Sequence, residues 1–156
     1  MLDVGCGNGV VSAKLKKSLK INLTGCDVIN YLSHDIQYVK MQNKEKLPFN
    51  KYSFDVTMFN DVLHHTEKEN QLKLLDEAFR VSKRILIFEV QPTIRGKIFD
   101  YLLNKIHNLG MNIPFAFRTI DEWQLLFKKK GYKFKTESIS SPFLYPFKHI
   151  AFLLEK

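Results

Sequence analysis

No run of about 18 consecutive apolar residues occurs in this chain, so no membrane-spanning helix is expected. Asp3, among the first residues, argues against a secretory leader, and a cytoplasmic protein is the expectation. Cysteine is scarce: Cys6 and Cys26 are too few for a disulfide scaffold and read as core thiols, neither bridge nor metal site. Repeats and low-complexity tracts are absent, which excludes solenoids and long linkers. No Gly-Lys-Ser/Thr follows the glycines near the start, so a phosphate-cradling P-loop is excluded. Acidic residues are also short, with 16 Asp and Glu against 24 Lys and Arg, a net charge of +8. The excess is uneven, since residues 1–91 hold 13 basic against 11 acidic side chains and residues 92–156 hold 11 against 5. A basic, aromatic second part suits a solvated surface over an aromatic core at least as well as contact with nucleic acid or anionic lipid.

What is present is enough apolar material, 45% of 156 residues, for one domain spanning 1–156 with a proper core. Leu2-Asp3-Val4-Gly5-Cys6-Gly7-Asn8-Gly9 joins an apolar strand end to a carboxylate and three alternating glycines. Such glycines free the backbone where a strand turns sharply into a helix or a ligand touches main chain. A dinucleotide fingerprint would place a third glycine at position 10, which is Val10, so NAD and FAD fit poorly.

Strand and helix patterns alternate from there, predicting an α/β, Rossmann-like, doubly wound and mostly parallel sheet with helices on both faces. Val11, Leu15 and Leu19 mark the apolar stripe of a helix over 10–20. Strands are predicted at 22–26, 36–41, 54–59 and 85–90. Thr66 with Glu69 predicts a capping box for a helix with Leu72, Leu75 and Phe79 inward, ending near Val81. After Pro92 the alternation breaks into a helical insertion at about 92–118, with Ile98, Phe99, Leu102, Ile106 and Leu109 on one side. Thr119 with Glu122 predicts a second capping box, opening a helix with Trp123, Leu126 and Phe127 that Gly131 ends. Residues 132–138 and 149–155 read as closing antiparallel strands.

Gly5-x-Gly7-x-Gly9 resembles the first motif of the class I S-adenosylmethionine (SAM)-dependent methyltransferases. Leu47-Pro48-Phe49, Ser53-Phe54-Asp55-Val56 and Asn60-Asp61-Val62-Leu63-His64-His65 are similar, in order and spacing, to a block of the type 11 branch that includes quinone-biosynthesis methyltransferases. Arg80-Val81, Phe117-Arg118-Thr119, Glu122-Trp123 and Gly131-Tyr132 extend the likeness over nearly the whole chain. The resemblance implies SAM as cofactor, held by Asp3, Gly5, Cys6, Gly7, Gly9, Asp27, Val28, Asn43, Lys44 and Asn60, with no metal. Asp3 would match the ammonium, Asp27 the ribose diol and the Asn43 amide oxygen the adenine amino group, where relatives carry an aspartate. Asn60 would contact the methionine part. His64 and His65 are the candidate bases for an acceptor that must lose a proton. Phe59 could offer its ring face to the cofactor, though a strand-end Phe is more often core.

Two departures stand beside Asn43. Ser82-Lys83-Arg84 replaces a Pro-Gly-Gly turn, and the helical segment that relatives carry before the glycines is absent from this sequence, so the chain is expected to be N-terminally short. No Asn/Asp-Pro-Pro-Tyr/Phe and no cysteine follows the fourth strand, which disfavours methylation of base amino groups and of pyrimidine C5 through a Cys nucleophile. The expected function is methyl transfer to a small or lipophilic acceptor. A non-catalytic SAM-binding partner protein is the alternative, as is an RNA methyltransferase suggested by Lys128-Lys129-Lys130 and Lys133.

Overall fold

A computed structural model describes residues 1–94, 96, 98–99, 101–102, 114, 116–140 and 145–156. Seven strands form one sheet: β1 (Leu2–Val4), β2 (Thr24–Asp27), β3 (Gln37–Lys40), β4 (Phe54–Asn60), β5 (Ser82–Val90), β6 (Lys133–Ile139) and β7 (His149–Glu155). Their order is β3-β2-β1-β4-β5-β7-β6. The first five strands are parallel, and β7 runs antiparallel to both β5 and β6. This is the Rossmann-like α/β sheet that the alternating pattern predicts. No helix among the described residues is long and apolar enough to cross a membrane.

The order places a functional site before any side chain is considered. From β1 the chain winds outward through β2 and β3, then returns to lay β4 against the other side of β1. Outgoing connections therefore diverge at the carboxyl ends of β1 and β4, and such a switch point opens a crevice in which α/β sheets bind ligands. Val4, paired with both Cys26 and Phe59, is the last β1 residue before Gly5.

Among the described residues, three helices of eight residues or more carry the connections: α1 (Val10–Leu19), α2 (Lys68–Val81) and α3 (Ile120–Lys129). α2 turns Leu74, Leu75, Ala78 and Phe79 into the core, with Leu72 half-buried. α3 adds Trp123 and Phe127, the latter edge-on to Phe152 of β7. Thr119 and Glu122 form the expected reciprocal capping box at its start. Arg80 explains why the Leu47–Phe49 loop has a fixed course. Its guanidinium donates to the carbonyls of Leu47 and Phe49 while paired with Glu77 at 2.6 Å.

Several local expectations are corrected. The stripe of α1 is not the apolar one: Val11 is 39% and Leu19 59% exposed, and the buried position is Ser12, whose hydroxyl donates to Asp3. Thr66 and Glu69 form no capping box, because Thr66 uses its hydroxyl to donate 2.8 Å back to the Leu63 carbonyl, and α2 starts after Glu67 with no side-chain cap. β2 runs two residues later than predicted at its start and one later at its end, so Asp27 closes the strand. β5 begins at Ser82, directly after α2. The Ser82 hydroxyl donates to the Ala78 carbonyl as the chain turns from helix to strand, so no Pro-Gly-Gly turn is needed. The predicted insertion lies largely outside the described residues; those described between Ile94 and Leu102 are helical, with Ile98, Phe99 and Leu102 about half exposed.

Candidate functional site

Three glycines build the turn after β1, all with left-handed backbone: Gly5 at φ 73°, Gly7 at 53° and Gly9 at 80°. The Gly5 and Cys6 N–H groups both donate to the Cys26 carbonyl, at 2.7 and 3.2 Å, which clamps the turn onto the end of β2. A Cβ on Gly5 would overlap Val62, and one on Gly9 would lie 2.8 Å from Leu32. Gly7 differs. Nothing among the described residues lies within 4 Å of a Cβ built there, so its surface faces open space. Gly5→Ala is therefore expected to destabilise the fold by displacing Val62, whereas Gly7→Ala should cost only about 1 kcal/mol of backbone strain while filling space over the turn. Thermal melts of the two variants check this contrast.

Asp27 reaches across to this turn. Its Oδ2 accepts from the Gly7 N–H at 3.0 Å, and its Oδ1 from the Val28 N–H at 2.7 Å. Each carboxylate oxygen can accept more than one hydrogen bond, so the group is positioned and still able to take a hydroxyl. Asp3, one strand over, is 2% exposed, and its Oδ1 has no hydrogen-bond partner among the described residues. Burial pushes its carboxyl up to about 6, with the Asp27 charge adding to the rise and the Ser12 hydroxyl opposing it. Burial also pushes the Cys6 thiol up to about 12 and raises Cys26 strongly, so both are inert packing groups, and neither is in a disulfide. Gly25 is what admits Cys6: a Cβ there would lie 2.7 Å from its sulfur.

Asn43 and Lys44 are exposed, just beyond the carboxyl end of β3. Asn43 spends its amide oxygen on the Glu45 and Lys46 N–H groups, at 3.0 and 2.9 Å. Its amide N–H groups, rather than the expected oxygen, are what it can turn to a ligand. Val28 packs against the core, Asn60 ends β4, and Phe59 is fully buried in the core.

His64 and His65 lie in the one-turn helix after β4, at 63–65. The His64 ring is 2% exposed, with Nδ1 2.6 Å from Glu89 Oε2 and its face 4.8 Å from Phe117. Glu89, also 2% exposed, accepts through Oε1 from the Val62 and Leu63 N–H groups, at 3.1 and 2.7 Å. One carboxylate at the end of β5 thus grips the segment that presses Val62 onto Gly5. Gln71 grips it from the other side, donating to the Leu63, Thr66 and Ala116 carbonyls and accepting from Arg118 at 2.6 Å. Neither Glu89 nor Gln71 was expected as a site residue. The available signal was a lone carboxylate inside the apolar run Ile85–Val90.

The residues expected to hold the cofactor lie at the carboxyl ends of the strands: the glycine turn after β1, Asp27 and Val28 at β2, Asn43 and Lys44 after β3, Asn60 at β4. A family model described as a methyltransferase domain matches residues 2–87, which includes all of them. The chain belongs to this methyltransferase family. The methyltransferase chain is 25% identical over 146 residues to an uncharacterised protein of Haemophilus influenzae, an alignment covering 85% of this chain and 58% of that protein. It therefore spans under two thirds of that relative's length. Solved structures share the fold. A SAM-dependent methyltransferase of Thermotoga maritima has a TM-score of 0.68 at 20% identity, covering 99% of this chain and 81% of the other. One from Archaeoglobus fulgidus gives 0.68 at 18%, with 99% and 85% covered. A chain in the Haloferax volcanii complex of the Trm112 methyltransferase activator with a methyltransferase gives 0.75 at 12%, with 99% and 80% covered.

Proposed function

We propose that this methyltransferase binds SAM in the crevice over Gly7 and transfers its methyl group to a small or lipophilic acceptor. The observation that carries the cofactor assignment is the buried Asp3 Oδ1, without a hydrogen-bond partner among the described residues, beneath a glycine turn whose middle residue faces open space. A buried acceptor without a donor is costly, and the ammonium of a methionine moiety satisfies it. Asp27 accepts the ribose hydroxyls, Asn43 and Lys44 flank the adenine, and Asn60 with the Gly5–Gly9 backbone borders the methionine part. SAM supplies a methyl already activated on a sulfonium. What this chain contributes is orientation and exclusion of water around an in-line displacement. His64, buried against Glu89, acts by holding the 62–65 turn in place, and His65 sits beside it with ring centroids 4.0 Å apart. A small or lipophilic acceptor is supported by the exposed Ile94, Ile98, Phe99 and Leu102 on the segment that leaves β5 at the same sheet edge.

Calorimetric titration tests this reading. SAM and S-adenosylhomocysteine are expected to bind and NAD not to, and Asp27→Ala should weaken SAM binding about tenfold or more through loss of charge-assisted hydrogen bonds. Absence of SAM binding, or an unchanged affinity in the Asp27 variant, would overturn it.

A further inference from the structure

The first β7 residue enters the site from the far end of the sequence. Because β7 runs antiparallel to β5, its amino end meets the carboxyl end of β5, with His149 paired to Val90. That is the edge at which β1 and β4 deliver the glycine turn and Asn60. There His149 Nε2 lies 3.1 Å from Asp61 Oδ2, across 88 residues of chain. The imidazole is 9% exposed and is stacked on Phe88 with centroids 5.2 Å apart, so its orientation is set.

Asp61 is itself unusual. Its backbone is left-handed at φ 52°, rare for a residue with a Cβ, and is pinned there by its N–H donating 2.8 Å to the Phe88 carbonyl. Its Oδ1 is buried with no hydrogen-bond partner among the described residues. Strain and an unsatisfied carboxylate oxygen at one residue are retained where a function holds them. The next residue, Val62, is the one packed on Gly5, so the pair stands one residue from the cofactor turn.

We propose that His149 is the general base of the methyl transfer and Asp61 its positioning residue, and that the acceptor is an O–H or N–H nucleophile. This rests on the SAM-binding reading above. With Nε2–H donating to Asp61, the neutral ring carries its lone pair on Nδ1. As the acceptor oxygen or nitrogen bonds to the methyl carbon, the carbon–sulfur bond breaks with its electron pair left on sulfur. Nδ1 takes the acceptor's proton and later gives it to water. The arrangement matches a nucleophile's base oriented by a carboxylate, here assembled from two strand ends.

The test requires no known acceptor. In 15N-labelled protein the His149 ring is titrated by NMR, once saturated with SAM and once with S-adenosylhomocysteine, which differ by the methyl group and the sulfonium charge. The groups against the ring are Asp61, directly after β4, Phe88 of β5, and Tyr145 and Phe147 before β7; Glu89, paired with Ile150, points to the other face of the sheet. A ring near the reacting sulfur should titrate about one pH unit lower with SAM, since a like charge disfavours the imidazolium. In Asp61→Asn the Nε2–H preference should be lost. His149→Gln identifies the resonance; should it fail to fold, Asp61→Asn does so by moving the same signal. Equal titration in the two complexes overturns the base assignment, and an unchanged tautomer in Asp61→Asn overturns the positioning role. If calorimetry shows that neither ligand binds, the cofactor reading falls first and this inference with it.

Discussion

Replacing Glu89 with alanine should lower stability by about 3–5 kcal/mol, more than any other single change at the site. The carboxylate is buried and serves three donors at once: His64 Nδ1 and the Val62 and Leu63 N–H groups. Removing it strands two backbone donors and an imidazole in a dry interior, each costing about 1–3 kcal/mol. Local relaxation keeps the total below the sum. For a chain of this length the melting temperature should fall by roughly 6–20 °C. Glu89→Gln keeps an oxygen for the backbone donors and loses the charged partner of His64, so it should fall between the two. A melting temperature for Glu89→Ala within about 2 °C of the parent would show that the 62–65 turn does not depend on this carboxylate. Because Val62 presses on Gly5, the variant should also weaken SAM binding although Glu89 is not proposed to touch the ligand.

Glu89 marks the boundary of what the sequence can show. The placement of Gly5, Gly7, Gly9 and Asp27 at one turn was legible because it is local or lies at a fixed spacing: a turn needs residues without a Cβ, and a strand later a carboxylate faces the same edge. The parallel core was legible for a similar reason, since apolar runs such as Phe54–Phe59 and Ile85–Val90 alternate with amphipathic helices. The capping box at Thr119 could be read because both partners lie within one turn. The one at Thr66 failed because the pattern does not reveal which competitor takes the hydroxyl, and here it is the carbonyl of the preceding turn. The α1 stripe misled for a different reason. Periodicity assumes that apolar residues turn inward, yet on α1 a buried polar contact to Asp3 decides the face. Glu89 with His64 and Asp61 with His149 join residues 25 and 88 apart, and only the strand order makes them neighbours.

SAM binding should lose affinity as the pH falls below about 6, approaching tenfold per pH unit, because Asp3 must release a proton to receive the ammonium. Burial pushes this carboxyl up from 3.8 to about 6, so the folded chain favours its protonated form. Its contribution to stability is therefore complete below 3.8 and is lost as the pH rises through 6. At neutral pH the ligand-free protein carries a buried carboxylate with one oxygen unpartnered among the described residues, a cost that the ammonium relieves. Binding thus draws on free energy that folding leaves stored at this position. Calorimetry in buffers of different ionisation enthalpy should find close to one proton released per SAM at pH 5 and almost none at pH 8. Asp3→Asn keeps the size of the side chain and the Ser12 contact while removing the charge. It should abolish most of the proton release, weaken binding at pH 7.5 by about tenfold or more, and raise the stability of the ligand-free protein above pH 6. Proton release that persists unchanged in the variant would assign the linkage to another group and leave the ammonium without its proposed partner.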